Sequence, residues 1–509
     1  MRRNLLATLI LTGLAVTASA QTPATLRLTV DEAVRLALQN NTDLKADRIE
    51  PQISDTRIAV ATSAFKPSFN TSVLRNNQLQ PPAGFLVPTP TRNDAITSNA
   101  GFSQRLPWFG TSYTAAWNAT HTSSDSFLNA YNPLVQSGLS VNVSQPLLRN
   151  FFVDAPRHDL ATSRVNREIA DTRLSESVVR TTAAVKTTYW SLVAARANLE
   201  ARQKALELAQ ELVRVNKARV DVGQSPPLDL VSAQAEAASN EELLIVAQTV
   251  VKEAEDRLRL LVLDTTQRDT WTVQIDAIDS PPLGLPAPDL AAAVATALRD
   301  RADLARSRKE IENAQSTVQY ASNQRLPDVR VNAAYQASGL GGTQVLRSGG
   351  FPGTIVGSGA VTDFGSVLSQ LFGRDYPTWA VGLSVSYPIG QSADDANYAR
   401  ARLETTQSQE RLKSAEARVI QQVREAGWKI EMNAKRIETT RAARELAEQR
   451  LDAEQKRLDV GLSTSFLVIQ AQRDLTGQLN NELAAIIAYN RALINFETVQ
   501  VVPLGGGQF

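Results

Sequence analysis

Residues 178–222 read VVRTTAAVKTTYWSLVAARANLEARQKALELAQELVRVNKARVDV, within a stretch that has no proline or glycine from Arg157 to Val222. An apolar residue recurs there every seven positions, at Val178, Val185, Leu192, Leu199, Leu206, Val213 and Val220. A strict seven-residue repeat keeps its apolar seam on one side only when helices wind around each other. The sequence therefore predicts a helix from about Pro156 to Val222, roughly 65 residues and about 100 Å long, with a long partner.

A second stretch has the same character and extends from about Asp394 to Val460. Its heptad residues are Val423, Ile430, Ile437, Leu451 and Leu458, and Arg444 interrupts the series once. Taken alone, either helix fits an ordinary coiled-coil spacer equally well.

Each long helix ends at a matched turn. The two turns read RVDVGQSPPLDL at 219–230 and RLDVGLSTSFLV at 457–468. Gly223 and Gly461 are expected to take the left-handed conformation that ends a helix, and Ser225 and Ser463 to cap the helix that follows. Heptads resume after the turns, at Leu230, Ala237, Leu244, Val251 and Leu258, and at Leu479, Ile486 and Leu493. Each half of the chain therefore predicts a long antiparallel helical hairpin.

Bulk composition excludes several classes of chemistry. The 509 residues carry 53 basic and 52 acidic side chains, and a net charge of +1 gives no reason to expect a nucleic-acid partner. Cysteine is absent, which rules out thiolate metal sites, disulfides and cysteine nucleophiles. The two histidines, His121 and His158, are isolated, and the sequence has neither a glycine-rich phosphate loop after a strand nor a G-x-S-x-G motif. We therefore expect no catalytic residue, no cofactor, no metal site and no enzyme activity.

The N-terminus has the pattern of a secretory signal peptide over residues 1–20. Arg2 and Arg3 supply the positive region, Leu5–Val16 the apolar region, and 18–20 the small-residue cleavage site. The apolar region is too short to span about 30 Å of hydrocarbon. No later run of about 18 apolar residues occurs, so we expect no membrane helix in the mature chain, although β-strands cross membranes with a much weaker sequence signal.

The chain is internally repeated with an offset of 260 residues. A first helix opens at Thr29 and Asp31 and is expected to run to about Ala64. The matched positions are Val34 with Val294, Ala37 with Ala297, Leu38 with Leu298, Asp43 with Asp303, Leu44 with Leu304, Ala61 with Ala321, and Pro67 with Pro327. An ungapped register over about 35 residues predicts a tandem duplication. The first repeat is expected at 21–280 and the second at 281–509.

Each repeat is expected to carry a pair of strands. Period-two alternation marks them near 69–73, 139–143, 329–335 and 381–385. Apolar residues on one face and small polar residues on the other suit a lipid-facing, water-lined barrel. The edge of a soluble sandwich alternates in the same way.

Two further strands are expected in the first repeat, at Ser98–Leu106 and Ser112–His121. The turn between them, Pro-Trp-Phe-Gly at 107–110, fits either the aromatic belt of a membrane interface or a turn packed on a core. Residues 338–378 and 78–93 are expected to be long exposed loops.

Together these features resemble the TolC-type outer-membrane efflux proteins. The resemblance spans Leu28 to about Val501 and is most specific in LTVDEAVRLALQNNTDL at 28–44 and GLSTSFLVIQAQ at 461–472. It implies an α+β membrane protein and a homotrimer, whose three chains share one β-barrel in outer-membrane lipid and one α-helical barrel across the periplasm. The implied function is a passive exit duct of a tripartite efflux or type I secretion system, working with a periplasmic adaptor protein and an inner-membrane pump. A secreted periplasmic coiled-coil scaffold is the alternative.

Strand number supports a shared barrel. Four strands per chain are too few to close a barrel, whereas three chains give twelve. The total becomes eighteen if the hairpin at 98–121 also inserts, but we expect this hairpin to lie outside the shared barrel.

The resemblance also implies roles for the helical turns. They would form the periplasmic tip, with adaptor contacts at Val222, Gly223, Ser225, Val460, Gly461 and Ser463. Asp229 matches an acidic residue that helps to hold the tip closed in the best-known members. Leu467 and Gln470 stand where those members place two acidic residues in a pore ring, so closure here is expected to rest on apolar packing. Simple helix termination explains the two glycines equally well.

Overall fold

The structure is a computed structural model that describes residues 25–82, 89–264, 266, 268–284, 288–350, 353–390 and 392–502. The signal peptide expected at 1–20 and part of the loop expected at 78–93 lie outside these residues. The helices are α1 (Val30–Asn40), α2 (Thr42–Asp47), α3 (Glu50–Ser63), α4 (Ala155–Asp221), α5 (Pro227–Val262), α6 (Leu290–Asp300), α7 (Ala302–Gln324), α8 (Phe364–Gly373), α9 (Ala393–Asp459) and α10 (Ser465–Val499). The strands are β1 (Thr25–Leu28), β2 (Ser68–Gln80), β3 (Thr91–Arg105), β4 (Ser112–Ser124), β5 (Tyr131–Pro146), β6 (Gln274–Ala277), β7 (Asp328–Ser348), β8 (Thr354–Thr362) and β9 (Tyr376–Ser386).

Both long helices form as the heptads predict, and α4 and α9 have 67 residues each. Val185 and Leu192 of the first heptad series are fully buried, and all five heptad residues of the second series are buried. One apolar cluster joins Leu212 of α4, Leu451 of α9 and Val468 of α10, so the returning helices cover the seams. Within the described ranges, no helix is both long enough and apolar enough to cross a membrane.

The first helix of each repeat is broken, so the prediction of one continuous helix to Ala64 is wrong. The breaks fall at Asn41, between α1 and α2, and at Arg301, between α6 and α7, and these positions keep the offset of 260. Both side chains are buried and donate to main-chain carbonyls, Asn41 Nδ2 to Leu261 O at 3.3 Å and Arg301 Nη1 to Val499 O at 3.2 Å. These tertiary contacts outweigh the local helical periodicity.

The same first-repeat segment breaks again before α3, where proline occupies one of the first positions of the helix. Proline has no amide hydrogen and is tolerated in the first turn but not in a helix interior.

Seven strands form one antiparallel sheet in the order β2-β3-β4-β5-β7, with β8 and β9 both on the far side of β7. Strand β9 pairs with the first half of β7, and β8 pairs with the second half. The hairpin of β3 and β4 lies between β2 and β5 in the same sheet. This position counts against the expectation that the hairpin lies outside the shared barrel, and its place in a barrel stays a prediction. The hairpin has hydrogen-bonded neighbours on both sides: β3 pairs with the whole length of β2, and β4 pairs with β5.

The segment 338–378 is mostly regular structure, so the prediction of a long loop there is also wrong. Strand β7 continues to Ser348, and β8 and α8 follow it. Gly339 and Gly341 lie within strand β7. Glycine is needed at both positions because a β-carbon at either one would overlap Val367 of α8. Glycine here serves close packing and does not mark a loop.

The sheet has two faces of opposite polarity. One row of residues in register across six strands is almost entirely apolar: Phe69, Phe102, Ala115, Val141, Tyr335 and Trp379. The adjacent row on the other face is small or polar: Asn70, Gly101, Ala116, Ser140, Gln336 and Thr378. The alternation predicted from the sequence is therefore continuous across the whole sheet.

Aromatic residues gather at the turn between β3 and β4. Phe109 stacks on Phe151, with ring centroids 5.0 Å apart, and Phe151 meets Phe152 edge to face. Trp108, Phe109 and Phe152 are exposed, which argues against the alternative of a turn packed on a core.

The described residues divide into two compact units. One comprises residues up to Arg48, Ser175–Ala302 and those from Arg418 onward, and it contains the helical turns. The other comprises Ile49–Leu174 and Asp303–Ala417, and it contains the seven-stranded sheet. Each unit contains residues from both of the expected repeats, 21–280 and 281–509. The division into units therefore does not test the repeat boundary, which stays a prediction.

Tyr189 is the polar centre of the core that joins α4 to strands β1 and β6. Its hydroxyl donates to Leu28 O at 2.9 Å and accepts from the amide of Asp279 at 3.1 Å. The side chain is fully buried, and this burial raises its pKa from 10.0 to about 12.

We expect Tyr189→Phe to lower the free energy of unfolding by about 1–3 kcal/mol, because it leaves the buried Leu28 carbonyl and the partly buried Asp279 amide without this partner. Tyr335→Phe is the control, since the Tyr335 hydroxyl is buried with no hydrogen-bond partner in the described part of the chain. Because folding raises the pKa of the Tyr189 hydroxyl, this group stabilises the folded state at pH values below 10.0, its pKa in the unfolded chain. That stabilisation is lost as the pH rises from 10.0 toward about 12. Thermal unfolding followed by circular dichroism should show this alkaline loss in the parent and not in Tyr189→Phe, and equal behaviour of the two would contradict the assignment.

Candidate functional site

The two turns that end α4 and α9 have the same backbone construction. Gly223 and Gly461 both have a φ of 77°, in the left-handed region, as predicted. The amide of Gln224 donates to Arg219 O at 2.7 Å, and the amide of Leu462 donates to Arg457 O at 2.8 Å. In each turn the glycine amide also donates to the carbonyl three residues earlier, Gly223 to Val220 O at 3.0 Å and Gly461 to Leu458 O at 3.1 Å. The two bonds of each turn together form the Schellman motif, which satisfies helix carbonyls that would otherwise lack partners.

Four of the six predicted adaptor-contact residues are exposed, and the two serines are half-buried. Val222 and Val460, just before the two glycines, are each 69% exposed. Gly223 and Gly461 are exposed as well, and Leu462 and Phe466 extend the apolar surface on the second turn. Exposed apolar side chains on a turn suit a contact with another protein, but the identity of that partner stays a prediction.

Neither predicted serine cap forms, so that prediction is wrong. Helix α5 has Pro226 as its N-cap and α10 has Thr464, and neither cap residue makes a side-chain cap bond. Ser463 instead donates from Oγ to Glu454 Oε2 at 2.6 Å, back across the turn to α9, while Ser225 lies half-buried. The hydrogen bond from Ser463 lowers the pKa of Glu454 below its usual value.

The three predicted closure residues occupy different environments. Asp229 is half-buried in the first turn of α5, and its carbonyl accepts from Asn216 Nδ2 at 3.3 Å. Leu467 and Gln470 are exposed on α10. The structure therefore brings Asp229 toward α4, and the closure role of all three stays a prediction.

Asn216 is a functional candidate that the sequence reasoning missed. It is fully buried on α4, and its Oδ1 accepts from Ser465 Oγ at 2.8 Å while its Nδ2 bonds to α5. One amide thus links α4, α5 and the start of α10, which belong to the two different hairpins. A signal was available, because Asn216 stands three residues after Val213, at a seam position where a polar residue fixes helix register.

Glu236 and Arg473 form a second link between the hairpins. Arg473 donates to Glu236 Oε2 from Nε at 2.9 Å and from Nη2 at 2.5 Å, and Asn240 donates to the other oxygen at 3.2 Å. Glu236 is buried whereas Arg473 is largely exposed, and the pairing raises the pKa of the arginine. Glu236 and Arg473 are 237 positions apart in sequence, so no local sequence pattern could have predicted their pairing.

These contacts suit mechanical coupling of helices. They comprise neutral hydrogen bonds and one ion pair, placed where two hairpins meet. In the part of the chain that the structure describes, no group of three or more His, Cys, Asp or Glu residues is arranged to hold a metal ion.

Solved structures with the same fold include outer membrane channels. CusC matches with a TM-score of 0.67 and 15% identity over 95% of this chain and 96% of that one. VceC of Vibrio cholerae matches with a TM-score of 0.64 and 15% identity over 93% and 96%, and CmeC of Campylobacter jejuni with a TM-score of 0.63 and 15% identity over 92% and 85%. No curated protein sequence matches the chain significantly.

The model of the outer membrane efflux protein family matches residues 97–262 and 293–499. These two segments cover well over half of the chain and fall on either side of the predicted repeat boundary. The chain belongs to the outer membrane efflux protein family, and its location is the outer membrane.

Gly461→Ala tests the turn. A β-carbon at Gly461 would have open space around it, so the substitution causes no steric overlap with other residues. Its cost is that of holding alanine in the left-handed conformation, about 1–2 kcal/mol. We expect the amide of Leu462 to exchange with deuterium roughly tenfold faster. Gly477→Ala is the matched control, because Gly477 is equally open but lies inside α10, where alanine is favoured. Equal exchange rates of the Leu462 amide in the two variants would contradict the role of the left-handed glycine in this turn.

Proposed function

We propose that three copies of this chain form a passive exit duct through the outer membrane. The observation that carries the proposal is the state of the two edge strands. Strands β2 and β9 are exposed at every residue, and in the described part of the chain each has a neighbour on one side only. Backbone groups left open at such edges cannot remain unsatisfied in hydrocarbon.

Pairing β2 of one chain with β9 of the next satisfies both edges. Each chain contributes six strand positions, because β8 and β9 share one side of β7, so three chains close a barrel of eighteen strands. The hairpin of β3 and β4 is part of this count. The row that contains Asn70 and Gln336 then faces water inside, and the row that contains Phe69 and Trp379 faces lipid.

The helical hairpins continue the duct across the periplasm. A single hairpin cannot enclose a pore, but six hairpins from three chains can. The turns form the tip, where a periplasmic adaptor docks on Val222, Gly223, Ser225, Val460, Gly461 and Ser463, and an inner-membrane pump delivers the cargo. The duct performs no covalent chemistry. Family membership counts against the secreted scaffold, for which the exposed two-faced sheet has no use.

The two polar links between hairpins supply a latch for the closed tip. Asn216 of α4 bonds to Ser465, and Glu236 of α5 bonds to Arg473, so both helices of the first hairpin are held to α10 of the same chain. Asp229, Leu467 and Gln470 complete the closure near the same helix starts. Adaptor binding opens the tip by favouring an arrangement in which these links are broken.

Conductance across planar lipid bilayers tests the duct and its latch together. The purified parent should conduct weakly, and Arg473→Gln should raise the open fraction up to roughly fivefold, because loss of a partly exposed pair is worth up to about 1 kcal/mol. Arg450→Gln is the control, since Arg450 binds Asp474 within one hairpin, with both side chains about half exposed. Absence of conductance in every variant would refute the duct. Conductance that Arg473→Gln leaves unchanged would refute only the latch.

Cross-linking tests the trimer. The chain has no cysteine, so Val73→Cys on β2 and Leu383→Cys on β9 can be combined without background. Both side chains are exposed in the single chain and lie on the apolar face. A flexible bismaleimide should yield covalent dimers and trimers from the double variant and only monomers from each single variant. Monomers alone from the double variant would contradict the pairing of β2 with β9.

A further inference from the structure

Helix α8 is a short element between β8 and β9 that the proposed duct does not use. The Asp363 carboxylate caps its start, accepting from the amides of Gly365 and Ser366 at 3.2 and 3.4 Å. Arg374, with a φ of 61°, ends it in the left-handed conformation. A helix fixed at both ends within ten residues is a built element of the fold.

One side of α8 packs on the apolar face of the sheet. Val367 and Leu371 are fully buried, and Val367 lies over Gly339 and Gly341 of β7. These glycines alternate in step with Tyr335 and Ala337, so α8 covers the face that carries the apolar row. Gln370 fixes the helix further, because its Oε1 accepts from the amide of Leu340 at 3.1 Å.

Two large apolar side chains of α8 remain uncovered. Phe372 is 72% exposed and Phe364 is also exposed. Trp379, on the same face of the sheet in the next strand, is 75% exposed. The exposed apolar side chains of the helix thus belong to the side of the sheet that meets lipid in the proposed duct.

The position of α8 along β7 matches the edge of the membrane. About 11 residues separate the start of β7 at Asp328 from Gly339, or about 36 Å of strand, and a tilt of 35–45° reduces this to roughly 25–30 Å along the membrane normal. The apolar band of an outer-membrane sheet is about 25 Å tall. Because β7 begins directly after α7, its start is on the periplasmic side if the helices are periplasmic, and this step rests on the proposed function.

We infer that α8 is a lipid-interface helix, whose Phe364 and Phe372 insert among the acyl chains of the outer leaflet of the outer membrane. An apolar surface at the level where strands leave the hydrocarbon is the feature that anchors interfacial helices. A second copy that pairs through the sheet edges would not cover this surface, because α8 lies over β5 and β7, which are inner strands of the described sheet. The edges that a second copy would pair are β2 and β9.

Spin labelling in reconstituted proteoliposomes tests this placement. Single cysteines at Phe372→Cys and Phe364→Cys each carry a nitroxide, and power saturation compares collision with oxygen, which enriches in lipid, and with a water-soluble nickel chelate. Trp379→Cys is the lipid-face control, and Gln336→Cys, on the polar row, is the water-face control. We expect both α8 labels to behave like Trp379, with oxygen access well above nickel access.

Each other outcome is decisive. Labels on α8 that behave like Gln336 would place the helix in water and overturn the inference. Labels shielded from both reagents would show that protein covers the helix, and they would overturn it as well. If the Trp379 label also favours nickel, the sheet itself is outside lipid, and it is the proposed duct that fails.

Discussion

Unsatisfied backbone groups at the edges of a sheet are the constraint on which this structure depends. A seven-stranded sheet with one apolar and one polar face is stable in a membrane only if every amide and carbonyl finds a partner. In the described part of one chain, β2 and β9 leave two edges open, so this sheet cannot satisfy its own edges in lipid. The proposed trimer, the water-filled interior and the outward apolar face all follow from closing those edges.

The two repeats keep the position of the helix break but not the residue type found there. At the equivalent breaks after α1 and α6, one repeat uses Asn41 and the other Arg301, yet each side chain reaches a carbonyl near the end of the helix that returns from its own turn. The buried neighbours are also kept, since Leu44 and Leu304 are both buried. A buried polar group must find a partner, and either side chain satisfies that requirement.

Coupling between the two hairpins depends on a few polar groups in otherwise apolar seams. Asn216 and Glu236 are buried, and each has one partner in the opposite hairpin, so separating the hairpins would remove that hydrogen bond from a buried group. Such contacts favour one arrangement of the helices by a modest free energy. A docking partner can overcome a preference of that size, which is what a gate requires.

The sequence by itself determined the long helices, the duplication, the matched turns and the alternation of the strands. All of these are local patterns, set by heptads, by glycine at a left-handed position, or by a period of two. Only the tertiary structure decided where the first helices break, that the β3–β4 hairpin lies inside the sheet, and that α8 covers glycines in β7. It also decided which polar residues join the hairpins, because Asn216 and Ser465 are 249 positions apart in sequence. Partners that distant are chosen by packing and by the need to satisfy buried polar groups, and no local pattern records that choice.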